Sequence, residues 1–488
     1  MSRSPVSTLL AAGLASGALL PDPAAAGDWP QFRGINGSGV AEGPEPLPVE
    51  FSQDSNVLWQ AAPGDGIGSP VVASGRVFTT AWLGDAGYAV FCHDAVSGAE
   101  RWKRVLPAGK PPRITPPNSH ASSTPAADAE RVYVAFGTLG LIALDAATGA
   151  EAWRHPLPEP AYLMDWGPGA SPVVRDGRVY FAQDDDLNPF LVCLDAKTGA
   201  RLWKTARPEM LAGYSLPVFC EAGGRLDLVV AGSGKLIGYD PETGAERWTC
   251  ASLLRTVMTS PVVHGDLIYL AIQSYGDATR TLKHALLEWL DTNQDGTLAR
   301  AEMPAEFLER FDASDRNRDG VIGADEIDTA FQHRDNQAAG GNTIQAVRGG
   351  GTGDVTSTHV VWNLDNKSPS NLSSPLVYHG RLHVVKSGGI SSCFDAASGE
   401  TVWGRTRLMN FGDYYASPVA GDGKIYIAGR NGFVVVLEDG PELKVLARND
   451  MGQEILGTPA IADGKIYLRT REKLYCVALA VPPGGTHP

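Results

Sequence analysis

Apolar and polar positions alternate in short runs along most of this chain, and Ser171 to Trp203 shows the pattern at its clearest. Ser171–Val174 is an apolar run opened by a Ser-Pro pair, and Asp176-Gly177 turns the chain. Arg178–Ala182 alternates polar and apolar with period 2. Phe190–Leu194 is an apolar β-run, Lys197–Gly199 turns again, and Ala200–Trp203 closes the unit. Short runs of this kind, bounded by Asp-Gly and Thr-Gly, predict four strands joined by hairpins. A lone unit would have an apolar face on each side and nothing to bury them against.

The unit recurs. Its opening pair returns at Ser69-Pro70, Thr124-Pro125, Ser171-Pro172, Leu216-Pro217, Ser260-Pro261, Ser374-Pro375, Ser417-Pro418 and Thr458-Pro459, eight copies mostly 41 to 55 residues apart. The 114-residue gap from Pro261 to Pro375 holds one repeat plus an insertion of about 65 to 70 residues. Four-strand repeats of this period predict the blades of a β-propeller, whose closed ring removes open sheet edges. The eighth copy ends near Val477 without an outer strand, and Val57-Leu58-Trp59 precedes the first marker as a spare. The expected fold is all-β, an eight-bladed propeller closed by its own N-terminal strand. The expected division is a signal peptide over 1–26, blades 1–4 and half of blade 5 over 27–279, an insert over 280–335, and the remaining blades over 336–488.

The Ala-x-Thr-Gly-x-x-x-Trp pattern of Ala196–Trp203 recurs before Trp153, with Pro241 in place of the Ala before Trp248, and with Ser-Gly in place of Thr-Gly before Trp102 and Trp403. It resembles the tryptophan-docking motif of PQQ-like propellers, a family that includes quinoprotein dehydrogenases and the assembly factor BamB. The resemblance covers nearly all of Trp29–Val477 except the insert, and implies that each Trp docks one blade on the next. Asp28-Trp29-Pro30-Gln31-Phe32-Arg33-Gly34 resembles the opening of secreted bacterial proteins of this kind.

Met1–Ala26 has Arg3, an apolar stretch over Val6–Leu20 and an Ala24-Ala25-Ala26 cleavage signal, which predicts export to the periplasm or medium. A net charge of −14 argues against nucleic acid as a partner. No other apolar run is long enough to span a membrane. Cys92, Cys193, Cys393 and Cys476 share one repeat slot, so they are expected to be buried thiols in different blades. Cys220 and Cys250 flank one blade, where pairing is a minor alternative to free thiols. No vicinal Cys pair is present, although alcohol-oxidising quinoproteins typically carry one.

The insert carries two matches to the EF-hand calcium loop, Asp291–Glu302 and Asp315–Glu326. Calcium takes six to eight oxygens. Asp291, Asn293 and Asp295 supply side-chain oxygens, Thr297 a carbonyl, and Glu302 a bidentate clamp. Asp315, Asn317, Asp319, Val321 and Glu326 repeat the set. Gly296 and Gly320 permit the sharp turn. Leu298 and Ile322 are expected to pair as a short ribbon, and Thr281–Leu290 to form the entering helix. The role expected for the ion is structural.

Other chemistry is sparse. Gly232-Ser233-Gly234-Lys235 lacks the spacing of a phosphate loop and reads as a hairpin. His379 and His383, taken as residues of one strand, stand about 13 Å apart, too far to share zinc. Asp184-Asp185-Asp186 reads as a solvated loop. The remaining candidates sit on loops expected near the central opening, the default pocket of a propeller: Arg113, His120, Tyr162, Asp165, Trp166, Tyr214, Arg348, Asp354, Tyr414 and Tyr415. The leading expectation is a BamB-like binding or scaffold protein that acts on another exported protein or an envelope polymer. The alternative is a PQQ-dependent oxidoreductase of alcohols or sugars, with Asp165 the only suggested base.

Overall fold

The computed structural model describes residues 27–479, apart from 163–164, 252–256, 274–285, 288–289, 328, 332–341, 366–371, 411 and 413. The expected signal peptide, and most of the expected entering helix, lie outside these residues. Eight sheets are arranged around a centre. Their innermost strands, in chain order, are Val71–Ala73, Ala126–Ala127, Val173–Arg175, Val218–Ala222, Val262–His264, Leu376–Tyr378, Val419–Gly421 and Ala460–Ala462, and they define blades 1 to 8. Blade 3 continues through Arg178–Gln183, Phe190–Asp195 and Arg201–Ala206, within a few residues of the sequence pattern. Blade 8 is completed by Val57–Ala61, which pairs antiparallel with Leu474–Val477. Among the described residues no helix is long and apolar enough to cross a membrane.

The opening Ser-Pro and Thr-Pro pairs do more than start strands. The Ser69 amide donates to Thr124 Oγ1 (2.9 Å) and the Thr124 amide to Ser171 Oγ (3.0 Å). Further round, Leu216 donates to Ser260, Ser260 to Ser374, Ser374 to Ser417, Ser417 to Thr458, and Thr458 back to Ser69, all at 2.9–3.0 Å. Each blade thus hands one buried amide to the hydroxyl of the next. The circle is broken once, between blades 3 and 4, because Leu216 has no hydroxyl to offer Ser171. Leu216 is buried instead in a cluster against which Phe32 packs. Replacing Ser374 by Ala strands the buried Ser260 amide, and urea denaturation is expected to show a loss of about 1–3 kcal/mol.

A second interlock uses tryptophan. The Trp153 Nε1 donates to the Ala196 carbonyl of the next blade (2.9 Å). Its ring lies on Gly199, where φ is 70° and an added Cβ would fall 2.5 Å from Cδ2. Trp59 meets Gly98, Trp102 meets Gly149, Trp203 meets Gly244 and Trp362 meets Gly399 in the same way. Trp248 departs from the pattern. It turns into its own blade against Gly238 and donates to the buried carboxylate of Asp227 (2.8 Å). Blade 5 has Thr352-Gly353 between its third and fourth strands, but the pair does not form the usual platform. Gly353–Asp354 runs there instead, as a fifth, parallel strand beside Trp248-Thr249. Trp403 stays by His383 of its own blade.

The segment before the closing strand crosses the centre of the ring. Trp29 pairs with Val72, and the Pro30 carbonyl accepts the Ala127 amide (2.7 Å). Gln31 Oε1 accepts the Val174 amide (3.3 Å), and Asn36 exchanges two 2.8 Å bonds with Phe219. Arg33 donates to the Pro375 carbonyl (2.6 Å), and Ala420 donates to Gly39 (2.8 Å). One stretch of chain therefore touches six inner strands and floors the central channel.

Cys92, Cys193, Cys393 and Cys476 lie buried on third strands, and none of the six cysteines is in a disulfide. Cys220 and Cys250 do not pair. They sit on the inner and outer strands of blade 4, three strand spacings or about 14 Å apart.

Candidate functional site

Above the floor is a cavity of about 480 Å³ at the ring's centre. The strands explain its position. Each inner strand starts at this end, so the loops that cross from one blade to the next converge here. Ser69, Thr124, Ser171, Ser260, Ser374 and Thr458 of the hydroxyl circle line it, with Phe32 from the floor segment. Thr115–Asn118 and Trp166–Gly169 come from the two long crossings, and Tyr214, Met258, Leu372, Ser387, Tyr415 and Leu456 complete the wall. Asn118 Nδ2 holds the Trp166 carbonyl (2.9 Å). Tyr162 stacks behind Tyr214 with ring centres 5.4 Å apart. Burial pushes both phenols well above their ordinary pKa, so they are neutral. Among the described residues, the lining contains no Asp, Glu, His, Lys or Arg.

The structure brings together three of the candidates read from sequence, Trp166, Tyr214 and Tyr415. The others stand apart. Arg113 and Asp165 are exposed and pair with each other (3.3 Å). His120 packs on Trp82, ring centres 4.7 Å apart, and burial lowers its pKa. Tyr414 is buried in the cluster of blades 6 and 7. Arg348 and Asp354 lie at the opposite end. Arg348 pairs with Asp266 of the first hairpin turn of blade 5, and Asp354 is part of the added fifth strand. The Gly-rich run between them is a strap between blades.

Two further readings need correction. Asp184, Asp185 and Asp186 are each 3 % exposed or less. Asp184 grips Arg207 through two bonds (2.7 and 2.9 Å), and Tyr239 holds the third guanidinium nitrogen. Burial opposes the Arg207 charge, and these partners more than restore it. Asp185 accepts the Leu187 and Asn188 amides and Gln183 Nε2. His379 lies in a turn with φ 45°, off the strand that carries His383. Both imidazoles face one carboxylate, Asp439, at 2.8 and 3.5 Å, and Arg381 also pairs with it. Gly232 and Lys235 face each other across a hairpin, as read.

The insert leaves blade 5 after Gln273 and returns at Asn342. Leu298-Ala299 and Val321-Ile322 form a two-residue ribbon, and Leu308–Ser314 is a short helix. Phe307, Phe311, Leu298 and Ile322 share a small core with Leu286 and Leu290. The two acidic loops repeat nearly bond for bond. Asp291 accepts the amides of Asp295 and Gly296 (3.1 and 2.8 Å), and Asp315 those of Asp319 and Gly320 (3.2 and 2.9 Å). Glu302 reaches back to the amides of Thr292, Asn293 and Ala299, and Glu326 to those of Arg316, Asn317 and Gly323. Gln294 and Arg318 have φ near 60°, and Gly296 and Gly320 φ of 82° and 85°. No cluster of three or more His, Cys, Asp or Glu suited to a metal occurs among the described residues. The insert rests on blade 3, where Arg310 donates to the Leu187 carbonyl (3.2 Å), and Glu306 faces Arg113 (3.7 Å).

A closed ring of eight blades, interlocked by tryptophan on glycine around a central cavity, defines the class of PQQ-like repeat propellers. The family model described as outer membrane protein assembly factor BamB matches residues 89–317 and 386–481, and the chain belongs to that family. The fold is similar to that of BamB from Moraxella catarrhalis (TM-score 0.53, 14% identity, covering 88% of this chain and 100% of that one). It is also similar to quinohemoprotein alcohol dehydrogenase from Comamonas testosteroni (0.54, 12%, 95% and 83%) and to a europium-containing methanol dehydrogenase (0.54, 11%, 93% and 98%). At these identities the likeness is one of fold. No curated protein sequence matches the chain.

Proposed function

We propose that this propeller is a non-catalytic binding protein, and that its insert is an EF-hand pair holding structural calcium. One observation carries the first part: the described lining of the central cavity has no ionisable side chain other than tyrosine. PQQ is a tricarboxylate. Its chemistry needs cations for those carboxylates, oxygen ligands for a calcium ion at the quinone, and a carboxylate base. The described residues do not fit that group. Asp165, the one suggested base, is outside the lining and paired to Arg113. A rigid ring whose described central lining is neutral suits a scaffold of the BamB kind, which presents its surface to another exported protein or an envelope polymer.

The calcium reading rests on the two loops. Their matching hydrogen bonds and backbone turns suit EF-hand geometry, with Asn293, Asn317 and carbonyl oxygens supplementing the carboxylates. Isothermal titration tests both parts. PQQ added to the calcium-saturated protein is expected to give only heat of dilution, and stoichiometric binding would overturn the reading. Calcium added to the metal-free protein is expected to bind at two sites, with Kd about 10⁻⁴–10⁻³ M for extracellular modules. Glu302→Gln and Glu326→Gln each weaken one site by at least about ten-fold. Absence of calcium heat in the wild-type protein would refute the EF-hand assignment.

A further inference from the structure

We infer that the central cavity is a binding site for a neutral saccharide, an assignment that rests on the non-catalytic binding reading above. Three observations converge on it.

The first is charge. Among the described residues the lining offers no charged partner to a phosphate, a carboxylate or an amine. A charged ligand buried against these residues alone is left unpaired, which is costly.

The second is the aromatic wall. Phe32, Trp166, Tyr214 and Tyr415 are half-buried and all border the cavity. Arg430 covers one side of Tyr415 at 5.9 Å, and Tyr162 backs Tyr214, so both of these tyrosine rings are braced at the cavity wall. Gly169 helps keep Tyr214 accessible, since a Cβ there would press on its ring at 3.3 Å. Flat apolar surfaces of this kind suit the C–H faces of a pyranose.

The third is the hydroxyl circle. Ser69, Thr124, Ser171, Ser260, Ser374 and Thr458 each accept an amide from the neighbouring blade. A hydroxyl has one proton to give as well as lone pairs to receive. Among the described residues none of these six protons has an acceptor. They form a ring of donors at the base of the cavity, matched to sugar hydroxyls that accept and donate in turn. A peptide is the weaker fit. Strand-addition recognition of a peptide needs an open strand edge, and the amides at this level, apart from that of Ser171, are spent on the circle. The volume of about 480 Å³ lies in the range of small-molecule sites.

The test uses the full chain with calcium present. Maltotriose, cellotriose and mannotriose serve as neutral probes, trigalacturonic acid as the charged analogue, and a capped Gly-Ala-Pro-Gly peptide as the competing class. Binding is read by calorimetry and tryptophan fluorescence. At least one neutral trisaccharide is expected to bind saturably at one site, with trigalacturonic acid at least about ten-fold weaker. Trp166→Ala and, separately, Tyr415→Ala are expected to weaken binding about ten-fold or more, with an unchanged far-ultraviolet spectrum. The inference is overturned if no neutral trisaccharide binds at millimolar concentration, if both variants bind as well as the wild type, or if the peptide alone saturates the site. PQQ binding would instead bring down the reading beneath it. Failure of both ligands would leave that reading standing and remove only the saccharide.

Discussion

Asp184→Asn is expected to destabilise the protein by about 3–5 kcal/mol, the usual cost of breaking a buried ion pair from one side. The side chains of Asp184 and Arg207 are 3 % and 1 % exposed, so the stranded guanidinium cannot turn to water. It is wedged near Met210 and Gly232, where even an added Cβ would fall 2.7 Å from Nη2. Urea denaturation of the single variant and of Asp184→Leu with Arg207→Met checks the mechanism. The double variant removes both charges and is expected to recover much of the loss. An equal or larger loss in the double variant would show that the pair stabilises the fold outright. A loss below about 1 kcal/mol in the single variant would mean that the pair lies in solvent, as surface pairs do.

The second large effect falls on the tryptophan interlock. Trp153→Ala is expected to cost about 3–5 kcal/mol, as for large aromatic truncations in cores. It removes the contact with Gly199 and the bond to the Ala196 carbonyl. Gly199→Val should be comparably harmful. Its backbone at φ 70° is in the left-handed region that β-branched residues avoid, and its side chain would collide with Trp153. Because both changes damage one contact, the combined loss is expected to fall short of the sum. Full additivity would mean that the two residues act independently. Trp403→Ala, lacking a glycine platform on blade 7, is expected to lose less than Trp153→Ala.

These residues also show what could be read before the fold was known. The blades were legible because most of them repeat the same local chemistry: alternation, a tight turn after the first strand, and an Ala-x-Thr-Gly or Ala-x-Ser-Gly close with a Trp four residues on. The closing strand was legible because blade 8 was short by one. The hydroxyl circle was not, since Ser69 and Thr458 become neighbours only when the ring shuts. Asp184-Asp185-Asp186 misled because an acidic run is usually solvated, and its counter-charge stands on the far side of a strand at Arg207. Asp227 gave a usable signal: a charge inside the apolar run Leu226–Val230 needs partners, and Arg225, Arg247 and Trp248 supply them. The strap at Arg348–Asp354 misled because glycines read as room for a ligand. Here they let the chain pass under blade 5 to the edge of blade 4. Of the cavity, the aromatics on crossing loops were legible. Phe32 was missed, because nothing local says that a residue before the first blade will pack between the third and fourth.

The floor segment has a consequence for how the molecule comes into being. Synthesis delivers Trp29–Ala61 first, yet its partners include Pro375, Ala420, Asn449 and Val477. Asn449 alone is separated from its partner Val49 by 400 residues, the kind of long-range pairing that slows folding. Trp29 to Asn36 finds partners on blades 1 to 4 early, whereas Val57–Ala61 must wait for the youngest part of the chain. A copy that stops after blade 7 leaves Val57–Ala61 without a strand to close against. The molecule thereby checks its own completeness, because only a chain made as far as blade 8 gives its closing strand somewhere to go.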